Sequence, residues 1–266
     1  IVSPECVLAT NTSSLSVERM SEGLKNPERV VGFHFFNPVA VMSLLEVART
    51  SKTDDATTAT AVSVGKDLKK TMIICKDAPG FVVNRLLTRF MGEVTDAVDE
   101  GTSPEVADNA MRSIGFPMSP FELLDLVGPG VALHVSETLH ENLGPRYRIS
   151  PTMQAMVAGK VRNFYIKGAY GKFSANPEAV ALIKQGDKPS SADQVRDRAL
   201  KALATEARMM LDEGVVSSAA EIDLCMLMGS GWPMHLGGIL PYLDREGISF
   251  AVCGQRFHAP GIASLP

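Results

Sequence analysis

The sequence predicts an α/β segment followed by an all-α segment, and three observations support that reading. Short apolar runs alternate with amphipathic stretches as far as Lys76. From Leu86 onward, apolar residues recur at helical spacing. The helical part also contains an internal repeat.

In chain order, Cys6-Val-Leu-Ala-Thr reads as a strand and Val17 to Leu24 as a helix. Val30-Val-Gly-Phe-His-Phe and Leu44-Leu-Glu-Val-Ala are strands, Asp55 to Lys69 is a helix, and Met72-Ile-Ile-Cys closes the set. This alternation is that of a parallel sheet covered by helices, but four strands and two helices are too few for a complete nucleotide-binding fold. After Pro79-Gly80 the period changes: Leu86, Phe90, Met91, Val94 and Val98 lie on one helical face, which sets a boundary near Ala78. Gln185-Gly-Asp-Lys-Pro-Ser-Ser reads as a linker. A further helix follows with Leu203, Ala207, Met210 and Leu211 on one face and Asp193 as its expected N-cap.

The repeat is visible within the chain. Arg85 to Gly101 ends in Val-Asp-Glu-Gly, and Arg198 to Gly214, of equal length, ends in Leu-Asp-Glu-Gly. Each is followed by a helix bearing an aspartate, Asp108 or Asp223, and then by Gly115-Phe-Pro or Gly231-Trp-Pro. Such units pack together because neither buries its apolar face alone.

Composition narrows the function. The 266 residues are 45% hydrophobic and 21% charged with a formal net charge of -4, enough to bury a core and with no basic block to attract nucleic acid. The four cysteines, Cys6, Cys75, Cys225 and Cys253, form no Cys-x-x-Cys pair and read as core residues of a reducing compartment. No apolar run reaches the about 20 residues of a membrane span and no signal segment opens the chain, so a cytoplasmic location is expected. Ile1 is not an initiator Met, and the chain reads as a fragment.

Candidate chemistry gathers in Gly32-Phe-His-Phe-Phe-Asn-Pro-Val, where His34 ends a strand and a turn follows. Imidazole suits proton transfer near neutrality, although a structural histidine fits the same pattern. Glu46 sits in an apolar strand; it partners His34 if the two strands are neighbours, or faces solvent if its strand is an edge. In Asn11-Thr-Ser-Ser-Leu, Ser14 reads as an N-cap and Ser13 as cap or crevice-facing hydroxyl. Asn84, early in the first long helix, is either near the domain junction or a surface residue. His134, His140, His235 and His258 look incidental, and Trp232 reads as core. There is no Gly-x-Gly-x-x-Gly, Walker loop, Gly-x-Ser-x-Gly elbow or metal-binding His pair.

Asn11-Thr-Ser-Ser-Leu, His34-Phe-Phe-Asn-Pro, Leu45-Glu-Val and Lys76-Asp-x-Pro-Gly-Phe-x-x-Asn-Arg, in this order, resemble the 3-hydroxyacyl-CoA dehydrogenase family. The resemblance extends through Gly115-Phe-Pro-Met-x-Pro-Phe-Glu-Leu-Leu-Asp. It implies an incomplete Rossmann-like half-domain over residues 1–78, with two tandem helical C-terminal domains over 79–184 and 185–266. It further implies NAD-dependent oxidation of L-3-hydroxyacyl-CoA in fatty-acid β-oxidation, with His34 as base and Glu46 as its electrostatic partner. Ser13 and Asn84 match positions that bind the substrate oxygen or support His34, and Asn37, with Ser13, matches the nicotinamide contacts. The family's glycine-rich phosphate loop has no match in this sequence. Family members with one activity stop near a segment like Lys167-Gly-Ala-Tyr-Gly-Lys-Phe; the second helical copy resembles the α-subunit of a fatty-acid oxidation complex. An acyl-CoA substrate and a thiolase β-subunit or a second copy are the implied partners. The alternative is a catalytically silent helical scaffold that mediates such assembly.

Overall fold

The structure, a computed structural model, describes residues 2–167, 173–183 and 186–262. The chain divides into two compact units, one of Ile1–Leu86 with Ala204–Pro266 and one of Leu87–Leu203.

In the first unit, β1 (Leu8–Thr10), β2 (Val30–Phe35), β3 (Leu44–Arg49) and β4 (Thr71–Lys76) form a four-stranded sheet in sequence order. Helices α1 (Val17–Ser21) and α2 (Asp55–Asp67) link β1 to β2 and β3 to β4, and both of those pairs are parallel. The central pair departs from the expected parallel arrangement, because β2 and β3 run antiparallel. The connection from Phe36 to Ser43 has no room for a crossover helix, so the chain can only turn back. Gly32 permits this pairing to be close: a Cβ there would lie 2.7 Å from the Ala48 Cβ. Val31, Leu45, Val47 and Ala61 form the buried core under the sheet.

Helix α1 is shorter than expected, and its N-cap is Ser16, whose hydroxyl accepts from the Arg19 N–H, rather than Ser14, which is buried. The unit is completed by the end of α9 (Ala192–Asp212), α10 (Ala219–Gly229), α11 (Ile239–Arg245) and α12 (Ile248–Cys253). Helix α10 opens with a capping box between Ser218 and Glu221.

The second unit holds most of α3 (Val83–Asp99), then α4 (Pro104–Arg112), α5 (Pro120–Val127), α6 (Pro129–Leu143), α7 (Pro151–Ala158), a small hairpin of β5 (Tyr165–Lys167) and β6 (Phe173–Ala175), and α8 (Pro177–Leu182). Helices α4, α5 and α7 each start at Ser-Pro. The serine side chain takes an otherwise orphaned N–H, and proline at the first helical position gives up an N–H that would have no partner. The first turn of α9 is capped by Ser191, whose hydroxyl accepts from the Gln194 N–H, so Asp193 lies inside the helix instead of capping it. The expected boundary between residues 184 and 185 lies outside the described residues, as does most of the Lys167–Phe173 segment.

The two helical copies make matching contacts. Asp108 accepts from the Phe121 N–H at 3.1 Å and Asp223 from the Leu240 N–H at 2.8 Å. Asp125 receives the consecutive N–H groups of Phe164 and Tyr165, and Asp244 receives those of Phe257 and His258. Tyr165 then bonds Asp108, while His258 bonds Asp223 at 2.7 Å. His258 is therefore not incidental: it occupies the place of Tyr165, a substitution of one ring donor for another that apolar periodicity does not reveal.

Candidate active site

His34 and Glu46 are directly opposed in the antiparallel register of β2 and β3. His34 Nδ1 lies 2.8 Å from Glu46 Oε2, and both residues are buried, His34 at 4% exposure and Glu46 at 0%. The edge-strand reading of Glu46 is thereby excluded, since β3 has neighbours on both sides. The imidazole is framed by Phe36, at a ring-centroid distance of 4.6 Å, and by Phe81, at 5.7 Å.

A buried carboxylate also needs partners for its other oxygen. Glu46 Oε1 accepts from the backbone N–H groups of Val82 and Val83, at 3.1 and 3.0 Å. These donors sit at the start of α3, where helical N–H groups have no intrahelical acceptor and the helix dipole favours negative charge. The turn before them presents them: the Phe81 N–H bonds the Ala78 carbonyl at 2.9 Å, with Pro79 and Gly80 at its centre. Gly80 has a φ of +73°, which glycine adopts without steric cost. The Pro-Gly of the Lys76-Asp-x-Pro-Gly-Phe segment therefore serves to aim two backbone donors at Glu46.

Asp77, in the same segment, holds the other side of the site. Its carboxylate receives the Ser16 hydroxyl at 2.9 Å and the N–H groups of Val17 and Glu18 at 3.1 and 2.8 Å. That anchors α1 and with it the Asn11–Leu15 loop. Asn11 Oδ1 accepts from the Phe35 N–H, next to His34, at 2.9 Å. Asn84 Nδ2 donates to the Ser13 carbonyl at 3.4 Å, so the contact made by Ser13 is through its backbone rather than its hydroxyl.

The structure thus brings His34 to Glu46 and Asn84 to Ser13. Asn37 lies on the exposed loop after β2, and its side chain bonds no other described residue. Sequence reasoning missed Val82 and Val83, because backbone donors carry no side-chain signature. It also missed Asp77, although an aspartate just before Pro-Gly marks a turn whose side chain is free to cap a neighbouring helix. Among the described residues no group of His, Cys, Asp and Glu could hold a metal ion. Burial pushes the Cys75 thiol well up, and Glu46 adds to this, so that cysteine stays a neutral thiol beside the pair. No helix among the described residues is long and apolar enough to cross a membrane.

Comparison with known proteins agrees with this geometry. Residues 1–78 match the family described as 3-hydroxyacyl-CoA dehydrogenase, NAD binding domain, and residues 80–170 match 3-hydroxyacyl-CoA dehydrogenase, C-terminal domain. The chain is 35% identical over 271 residues to the fatty acid oxidation complex subunit alpha of Acinetobacter baumannii, covering 95% of this chain and 38% of that protein. It is 36% identical over 251 residues to the subunit of the same name from Shewanella oneidensis, covering 91% of this chain and 35% of that one. The chain therefore spans little more than a third of these relatives.

Among solved structures, the (S)-3-hydroxybutyryl-CoA dehydrogenase of Ralstonia eutropha is 35% identical with a TM-score of 0.58, covering 61% of this chain and 59% of that one. The 3-hydroxybutyryl-CoA dehydrogenase of Escherichia coli, at 24% identity and a TM-score of 0.76 over 98% of this chain and 75% of that one, shares the fold.

Proposed function

Because this chain belongs to the 3-hydroxyacyl-CoA dehydrogenase family, we propose that it carries the proton-transfer half of the oxidation of an L-3-hydroxyacyl-CoA to the 3-ketoacyl-CoA, as in fatty-acid β-oxidation. The observation that carries this reading is the buried His34–Glu46 pair, with the second carboxylate oxygen held by two helix-terminal N–H groups.

An ionised Glu46 accepts only, so it takes the Nδ1 proton of His34 and leaves the Nε2 lone pair as the base. Nε2 removes the proton of the substrate 3-hydroxyl as hydride leaves C3, and Glu46 stabilises the imidazolium that results. Asn84 and Ser13 are assigned to the substrate oxygen, held together by their own hydrogen bond. NAD, the cofactor named by the matched domain, accepts the hydride when bound. The residues present fit its reacting end: Ser13 and Asn37 follow β1 and β2, two strands that run parallel side by side, and they carry the neutral polar groups that an amide-bearing ring requires. No Gly-x-Gly-x-x-Gly occurs in the 266 residues, so no phosphate contact is assigned to them.

The division into a half-domain over 1–78 and helical copies over 79–184 and 185–266 belongs to the same proposal. So does assembly with a thiolase β-subunit, supported by the description of the relatives as subunits of a complex. A reducing, cytoplasmic setting is supported by the four free cysteines.

The test is turnover of acetoacetyl-CoA with NADH by the protein that carries this chain, against its His34→Gln variant. Loss of turnover with retained folding supports the reading; unchanged turnover refutes it, as does a wild-type protein that does not turn over.

A further inference from the structure

We infer that Glu206, from the second helical copy, is a positioning residue for the His34–Glu46 pair, acting through Arg85 on the first turn of α3; this rests on the dehydrogenase reading above.

Arg85 follows Asn84, within three residues of the two N–H groups that hold Glu46. Its side chain is fully buried. Arg85 Nε donates to Glu206 Oε1 at 2.7 Å, and Glu206 is fully buried too. Nη1 and Nη2 take both oxygens of Glu213 at 2.6 and 3.0 Å, a fork geometry that fixes the plane of the guanidinium. The first turn of α3 is therefore gripped from two directions, by Glu46 on its backbone and by Glu206 and Glu213 on its arginine.

A second contact, made by different residues, joins the same copy to the same place. A Cβ on Gly229, at the end of α10, would lie 2.5 Å from Leu44 Cδ2, 2.9 Å from Val83 Cγ2 and 3.6 Å from Phe36 Cε1. Leu44 begins the strand that bears Glu46, Val83 is one of its two donors, and Phe36 packs on His34. Helix α10 thus abuts everything that orients the pair.

The physical consequence is direct. Removing the Glu206 charge leaves Arg85 a buried cation short of one acceptor, and the turn must move to satisfy it. Val82 and Val83 move with the turn, Glu46 follows its donors, and His34 follows Glu46. A small tilt at Nε2 is costly to proton transfer yet leaves substrate binding almost untouched.

The experiment compares Glu206→Gln, Glu206→Asp and Glu213→Gln in the protein that carries this chain. It measures kcat and KM for acetoacetyl-CoA and NADH, together with the Nδ1–H resonance of His34 in 15N-histidine-labelled, substrate-free protein, assigned by its absence in His34→Gln. For Glu206→Gln we expect kcat to fall by about a hundredfold, KM values to stay within about threefold, and the His34 resonance to shift or vanish. Glu206→Asp restores part of both signals, and Glu213→Gln, whose carboxylate is half-exposed, moves both less in the same direction.

A folded Glu206→Gln protein with kcat within about twofold of wild type and an unmoved resonance overturns the inference. Loss of stability without movement of the resonance, or with kcat and KM changing in equal measure, does so as well, since that is the signature of a merely structural pair. Should Glu206→Gln not fold, Glu213→Gln is judged by the same criteria. If wild-type protein shows the resonance but no turnover, the dehydrogenase reading fails, and the resonance alone decides the positioning role.

Discussion

His34 and Glu46 meet at 2.8 Å because they are register partners on two antiparallel strands, so the catalytic pair is a cross-strand pair. Its geometry is as well defined as the sheet itself, and no loop has to fold for the two to meet.

The carboxylate selects the imidazole tautomer, which makes Glu46→Gln informative. The amide can still accept from Val82 and Val83, but it then donates to Nδ1 and forces the proton onto Nε2. We expect turnover to fall by roughly a thousandfold while the denaturation midpoint changes little. Glu46→Ala leaves two buried N–H groups and an imidazole without their acceptor and should cost about 3–5 kcal/mol of stability. Urea denaturation beside steady-state kinetics separates the two effects, and equal turnover by Glu46→Gln and wild type would contradict the proposed role.

The two arginines of the repeat make the same bonds in unequal surroundings. The same spacing separates Arg85 from Arg198, Glu93 from Glu206 and Glu100 from Glu213, and each arginine pairs with the glutamates of the other copy. Arg85 is fully buried, whereas the Arg198 side chain is 32% exposed. Arg85→Ala should therefore cost about 3–5 kcal/mol. Arg198→Ala, whose partners can be rehydrated, should cost about 1 kcal/mol or less. Chemical denaturation of the two variants checks this, and equal losses would show that burial is not what separates them.

Asp96 supplies a pH dependence. Burial pushes its carboxyl up to about 6, against the pull of Arg148 and aided by the charges of Glu93, Asp99 and Glu100. An unfolded aspartate ionises near pH 4, so folding takes up a proton between the two values, and stability falls as pH rises from about 4 through 6. Asp96→Asn escapes this loss. It should be more stable than wild type at pH 8, by on the order of 2 kcal/mol, with the gain gone near pH 4. Melting temperatures across pH 4–8 test the sign; a gain that grows toward low pH would reverse the argument.

At His258 the two copies differ in chemistry but not in geometry. Burial pushes the Asp223 carboxyl up, opposed by the Leu240 N–H and by His258. His258→Ala removes a buried donor and should cost about 1–3 kcal/mol. His258→Tyr imitates the Tyr165–Asp108 contact of the first copy and should recover most of that loss. Thermal melts of the two variants distinguish a specific hydrogen bond from simple packing, since equal destabilisation by both would favour packing.

The sequence by itself determined the class and order of the elements, because periodicity is local. Alternating runs around Val31 and Leu45 can only be strands, and the spacing of Leu86, Phe90 and Val94 can only be a helix. It also determined the family, the candidate His34 and the repeat, since each is written in residue identities. Only the tertiary structure decided that β2 and β3 run antiparallel, which is what sets Glu46 opposite His34. Only the structure showed that Val82 and Val83 hold the carboxylate through backbone groups, which have no side-chain signature, and that Glu206 reaches Arg85 from far along the chain. These are non-local contacts between groups whose identities are individually unremarkable. A one-dimensional pattern carries which faces are apolar, but not which buried charge will find which donor.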